Sequence, residues 1–219
     1  MESVIALEGD GFVIIAADVS NARSIVVMKD DVDKIRVLDD HKLFAAVGDP
    51  GDVSKFFEHI QKDVKLYNMR SGITISTAAM ANYTRGELAR FLRRSPFQCN
   101  VVMAGYDPAP NGAGPSLYTC DYLGTLAKLK FAAEGYAQYF VLSTLDRYWK
   151  KNMSVEDGLA VIKKCIAEVQ TRFVVSQRRF AIKVVSKDGV KVLEAADSTT
   201  PGKKMDAMET EAPAQTVSA

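Results

Sequence analysis

The 219-residue sequence predicts an α+β layered sandwich, with antiparallel sheets and helices packed outside them. Two observations carry that prediction. Strand-like runs come in groups and helix-like runs in pairs, in the order strands, two helices, strands, two helices, two strands. Neighbouring strand-like runs are also joined by short turn signals, as antiparallel hairpins are, rather than by the helical crossovers of a parallel sheet.

Ser3–Glu8 and Phe12–Ala17 read as strands split by the turn Gly9-Asp10-Gly11. The run FVIIAA lacks polar alternation, which predicts a strand covered on both faces. Three short strands are expected at Ser24–Lys29, Lys34–Leu38 and Lys42–Val47. A helix should follow Asp49-Pro50-Gly51, because Val53, Phe56, Phe57, Ile60, Val64 and Tyr67 recur at helical spacing. A second is expected from an N-cap at Ser76 to about Arg94, with Met80, Tyr83, Leu88 and Phe91 on one side and Ser95-Pro96 as its stop.

Strands return at Asn100–Ala104, Ser116–Cys120 and Leu126–Lys130, the first two separated by the loop-like GYDPAPNGAG. Gly135–Lys151 reads as a third helix, with Tyr136, Phe140 and Tyr148 among its apolar residues. Ser154-Val155-Glu156-Asp157 resembles a capping box that opens a fourth, whose Leu159, Ile162, Ile166, Val169 and Phe173 share a face. Phe180–Val185 and Val190–Leu193 form a last hairpin about Lys187-Asp188-Gly189. Residues 198–219 are polar and poor in aliphatic side chains, so they are expected to form a disordered tail behind a single domain at 1–197.

Bulk properties exclude several classes. Lys and Arg total 28 against 27 acidic residues, a net charge of +1 that offers no footprint for nucleic acid or an anionic membrane. No apolar run approaches the roughly 18 residues of a membrane span. The opening Met-Glu-Ser lacks the basic region and apolar core of a signal peptide. Cys99, Cys120 and Cys165 are widely spaced and odd in number, so they read as reduced core thiols of an intracellular protein. On that reading the sequons at Asn82 and Asn152 stay unmodified.

Common catalytic motifs are missing, including GxxxxGK[ST] and GxSxG. His41 and His59 read as solvated side chains, and neither has a second His or Cys at ligand spacing. The stretch Asp30-Asp31-Val32-Asp33 lacks calcium-loop spacing and reads as a polar turn. No metal and no cofactor is therefore expected.

Other segments carry a resemblance. The early strand, the buried run ending Ala16-Ala17-Asp18, the KDDVDK segment with Lys34, and FAAVG ending at Gly48 occur in that order. GYDP at 105–108, LYTCDYLG at 117–124 and LDRYW at 145–149 follow. From Met1 to about Glu194 the chain resembles the beta-type subunits of the eukaryotic 20S proteasome, of the N-terminal nucleophile hydrolase fold. MKDDVDKI, IQKDVKLYNMR and FAAEGY bring it nearest the non-catalytic beta-4 type.

The resemblance implies a four-layer α-β-β-α sandwich of two antiparallel sheets flanked by helix pairs. In active members an N-terminal threonine attacks a peptide carbonyl, its own amine serving as base. A lysine and an aspartate tune that amine, and a glycine N–H holds the oxyanion. Carried over residue by residue, Asp18, Lys34 and Gly48 match, but the nucleophile position falls on Glu2. The supporting serine falls on Tyr136 and the supporting aspartate on Phe173, while the final serine is matched by Ser176.

The expectation is thus a pseudo-enzyme in which Asp18 and Lys34 form a buried ion pair. An active threonine- or serine-type peptidase is the alternative. The implied partners are the other beta and alpha subunits of a 28-chain stacked-ring complex in cytoplasm and nucleus, without nucleic acid or membrane. In this family the strand holding Thr119, Cys120 and Asp121 can line a neighbour's pocket.

Overall fold

The computed structural model describes residues 2–23, 26–109, 112–175 and 177–197. It opens on the hairpin of β1 (Ser3–Gly9) and β2 (Phe12–Asp18), then β3 (Asn21–Arg23), β4 (Val26–Lys29), β5 (Ile35–Asp39) and β6 (Lys42–Gly48). Helices α1 (Pro50–Ser71) and α2 (Thr77–Phe91) follow. Next come β7 (Cys99–Asp107), β8 (Gly114–Cys120), β9 (Leu126–Leu129) and β10 (Phe131–Gly135). Helices α3 (Gln138–Tyr148) and α4 (Val155–Arg172) lead to the final hairpin of β11 (Arg179–Ser186) and β12 (Gly189–Asp197).

Two five-stranded sheets run in the orders β10-β1-β2-β11-β12 and β5-β6-β7-β8-β9, with β3-β4 as a separate ribbon. Every described pairing is antiparallel. This is the α+β architecture anticipated from the order of elements.

Side-chain alternation explains why β1 and β2 carry no polar face. Ile5, Leu7, Ile14 and Ala16 point to a core shared with Val141 and Leu145 of α3 and Ile162, Ile166 and Val169 of α4. Val4, Ala6, Val13, Ile15 and Ala17 point the other way, to a core shared with Leu43, Ala45 and Val47 of β6 and Val102 and Ala104 of β7. On the far side of β6, Phe44 and Ala46 meet Phe56, Phe57, Ile60 and Val64 of α1 and Met80 and Leu88 of α2.

Local chemistry sets the helix ends. Asp49 caps α1 by accepting from the N–H groups of Gly51 and Asp52, Pro50 fills the first position, and Gly72 closes it at φ 67°. Ser76 caps α2 by accepting from Ala79 N. At α4 the reciprocal capping box of Ser154 and Asp157 forms as expected.

Several boundaries differ from expectation. The single strand expected at Ser24–Lys29 is the β3-β4 ribbon instead, starting at Asn21. The third helix does not begin at Gly135, because Phe131–Gly135 is strand β10, which pairs with β1 from Leu7 to Ser3. Gly135 then turns the chain at φ 72°, and a Cβ there would lie 2.2 Å from the Glu2 carbonyl oxygen. Helix α2 ends at Phe91 rather than near Arg94. The loop GYDPAPNGAG is partly strand, since β7 continues to Asp107 and β8 starts at Gly114. The Asp107 carboxylate accepts from both the N–H and the hydroxyl of Thr77, which ties the start of α2 to the end of β7.

The tail expected at 198–219 lies outside the described residues. Among the described residues no helix is long and apolar enough to cross a membrane.

Candidate functional site

Ends of several elements converge beside the first strand. β2 delivers Asp18 at its last residue, the chain before β5 delivers Lys34, β6 ends on Gly48, and Glu2 immediately precedes β1. Asp18 is fully buried. Its Oδ1 accepts from Ser3 N at 2.8 Å and from Lys34 Nζ at 3.0 Å, and its Oδ2 from Lys34 Nζ at 2.9 Å and Ser20 N at 3.2 Å. Lys34 Nζ also donates to the Ser20 carbonyl at 2.7 Å. Burial pushes the Asp18 carboxyl above its ordinary range, opposed by the Lys34 ammonium and the Ser3 N–H. This is the buried ion pair expected from the sequence.

Glu2 completes the group. Gly48 N donates to Glu2 Oε2 at 2.9 Å, while Glu2 Oε1 stands 3.5 Å from Lys34 Nζ. The Glu2 carbonyl accepts from Tyr136 N at 2.9 Å, fixing the backbone of this residue against β10. Gly48 has φ 151°, and a Cβ on it would lie 2.0 Å from the Gln98 carbonyl oxygen. Only glycine lets the chain pass this close to Gln98 and turn its N–H toward Glu2.

A backbone N–H at one carboxylate oxygen and an ammonium beside the other form a cradle for negative charge, and a backbone N–H so placed is the kind of donor that stabilises an oxyanion in acyl transfer. The occupant here is a carboxylate of the chain itself, and it carries neither a hydroxyl nor a thiol. A cavity of about 410 Å³ opens beside it, lined in part by Glu2, Gly48, Asn100, Tyr122, Tyr136 and Tyr139.

The positions expected to support a nucleophile are partly brought together. Tyr136 and Phe173 stack at 5.0 Å with an interplanar angle of 24°, and Phe140 packs on Phe173 at 5.9 Å. An aromatic stack thus occupies the place where the resemblance led one to look for polar support. Phe173 is the residue after α4, not part of the helix. Ser176 lies outside the described residues.

At the end of β8, Cys120 is fully buried in the core under α1 and α2, and burial pushes its thiol up to about 11. Thr119 is half-buried. The Asp121 carboxylate accepts from Leu123 N and Thr125 N, which shapes its own turn.

Asn100, Tyr122 and Tyr139 were not anticipated at the cavity, because they come from a strand, a turn and a helix that share no motif. The histidines also differ from expectation. His59 is not a solvated side chain, since its Nε2 lies 2.6 Å from Glu87 Oε2 and 3.5 Å from Asp63 Oδ2. His41 is half-buried, its Nε2 3.2 Å from the Lys187 carbonyl oxygen.

Comparison with known proteins shows the family. A family model described as "Proteasome subunit" matches residues 1–185. "Proteasome subunit beta type-2-A" of Arabidopsis thaliana is 51% identical over 191 residues, 87% of this chain and 92% of that protein. "Probable proteasome subunit beta type-4" of Meyerozyma guilliermondii is 42% identical over 196 residues, 89% of this chain and 100% of its own length. "Proteasome subunit beta type-4" of Saccharomyces cerevisiae is 35% identical over 195 residues, 89% and 98% of the two chains.

Proposed function

The chain belongs to the proteasome subunit family, and from that premise we propose that it is a non-catalytic beta-ring subunit of the 20S core particle. Its relatives are proteasome beta subunits of types 2 and 4. In this reading it helps enclose the proteolytic chamber and positions neighbouring active subunits for ubiquitin-dependent protein degradation. Its partners are the other beta and alpha subunits of a 28-chain stacked-ring particle in cytoplasm and nucleus. The three cores are the spacers of a four-layer α-β-β-α sandwich, and residues 1–197 are its one domain. Thr119 and Asp121, with surface left to them, face a neighbouring chain.

The observation that carries the non-catalytic reading is the Glu2 carboxylate, seated on the Gly48 N–H at 2.9 Å. A substrate carbonyl needs that donor for its developing negative charge. Glu2 fills the donor and supplies no nucleophile in exchange. Tyr136 and Phe173, stacked on each other, add no proton carrier suited to activating one.

The test is the peptidase activity of intact particles that carry Glu2→Ala in this chain. Every peptidase activity should stay within about twofold of wild type, since no barrier-lowering group is lost. Selective loss of one activity from fully assembled particles would show that Glu2 takes part in chemistry.

A further inference from the structure

Away from that site, α1 and α2 bring together a donor set of a different kind. We propose that His59, Asp63 and Glu87 bind a divalent transition-metal ion of the zinc class, which ties α1 to α2. His59 and Asp63 stand four residues apart on α1, so they share one face, and Glu87 comes from α2 opposite. Their ligating atoms all lie within 4.8 Å of one another. One imidazole nitrogen with two carboxylate oxygens is a set that zinc accepts, with water filling the remaining position.

The distances allow it with a small adjustment. Two ligands of one tetrahedral zinc, each about 2.0–2.2 Å from the ion, stand roughly 3.4 Å apart. His59 Nε2 and Asp63 Oδ2 are already at 3.5 Å. His59 Nε2 and Glu87 Oε2 are at 2.6 Å, so the Glu87 carboxylate draws back by roughly 0.8 Å or turns its other oxygen inward. Among the described residues, no donor reaches Asp63 Oδ1 or Glu87 Oε1.

Two further features fit a metal centre. Tyr83 donates its hydroxyl to Asp63, and Arg90 donates to Glu87, so each carboxylate is oriented by an outer partner as metal-ligating carboxylates are. A cavity of about 410 Å³ lined by Asp63, Tyr67, Arg70, Ile75 and Tyr83 borders the cluster on its Asp63 side. The side chain of Glu87 is only 12% exposed, and the Arg90 and His59 side chains beside it are 58% and 32% exposed.

The full-length chain, stripped with chelator and dialysed against zinc chloride, is assayed by elemental analysis and by its melting temperature. We expect one zinc per chain, a higher melting temperature with zinc and none of that rise with magnesium. His59→Gln and Asp63→Asn should each weaken zinc binding at least tenfold, and Tyr83→Phe by about 10–100-fold. Asp63 is partly exposed, so its variant stands in if His59→Gln does not fold. Failure of the wild-type chain to retain zinc overturns the proposal. So does equal retention by the variants, and the three side chains are then a hydrogen-bonded joint between helices.

Discussion

Asp18 has no exposed surface, so its charge depends on what surrounds it inside the protein. Lys34→Met leaves that carboxylate without its cation and should cost about 3–5 kcal/mol, read from denaturant unfolding. Adding Asp18→Asn to Lys34→Met should recover part of that loss, because it removes the stranded charge. Gly48→Ala should cost about 1–3 kcal/mol, as its Cβ would meet the Gln98 carbonyl oxygen at 2.0 Å. The thiols give a pH test. Burial pushes Cys99 and Cys165 up to about 12 and Cys120 to about 11 from an ordinary 9.0. The folded chain therefore keeps thiol protons that the unfolded chain releases, and stability should fall as pH rises from about 9 toward 12. Iodoacetamide at pH 8 should label none of the three until the chain unfolds. Asp18, Lys34 and Gly48 were legible in the sequence because each sits inside a short run of fixed order. What Glu2 does was not, since its partner Gly48 is 46 residues away and no spacing rule joins them.

Helix ends show the same contrast one scale up. The α4 start was readable because both halves of the capping box lie within four residues. Ser154→Ala removes the acceptor for Asp157 N and should cost about 1 kcal/mol, within a range of 0.5–2, measured by thermal or denaturant unfolding. β10 escaped notice because Phe131–Gly135 contains two alanines and runs directly toward a helix. Its strand character comes from pairing with Ser3–Leu7, more than a hundred residues back in the chain. The β3-β4 ribbon was read as one strand for a related reason. The two residues between its strands in the sequence are neither Gly nor Pro, and Val26, Val27 and Met28 are exposed rather than turned to a core. The metal-type cluster hid in a similar way, for His59 and Asp63 show a ligand spacing only once Glu87 arrives from another helix.

At the scale of the whole molecule, alternation within β1, β2 and β6 divides their side chains between cores on opposite faces. The α+β class itself was legible from the order of strand groups and helix pairs and the short turns between strands. Sheet order was not, because β11 docking on β2 depends on a closure of some 160 residues that leaves no local trace. Exposed apolar side chains such as Met69, Ile73 and Tyr139 are the surface that neighbouring subunits would cover in the proposed ring. As proposed, this chain works as a built-in part of a larger particle. The most direct test is the native mass of the chain purified from its own cells, with mass spectrometry of the proteins that co-elute. A particle of about 28 chains containing other beta-type and alpha-type subunits is expected, in keeping with a closed ring of heterologous contacts. A lone species of 24.0 kDa would contradict it.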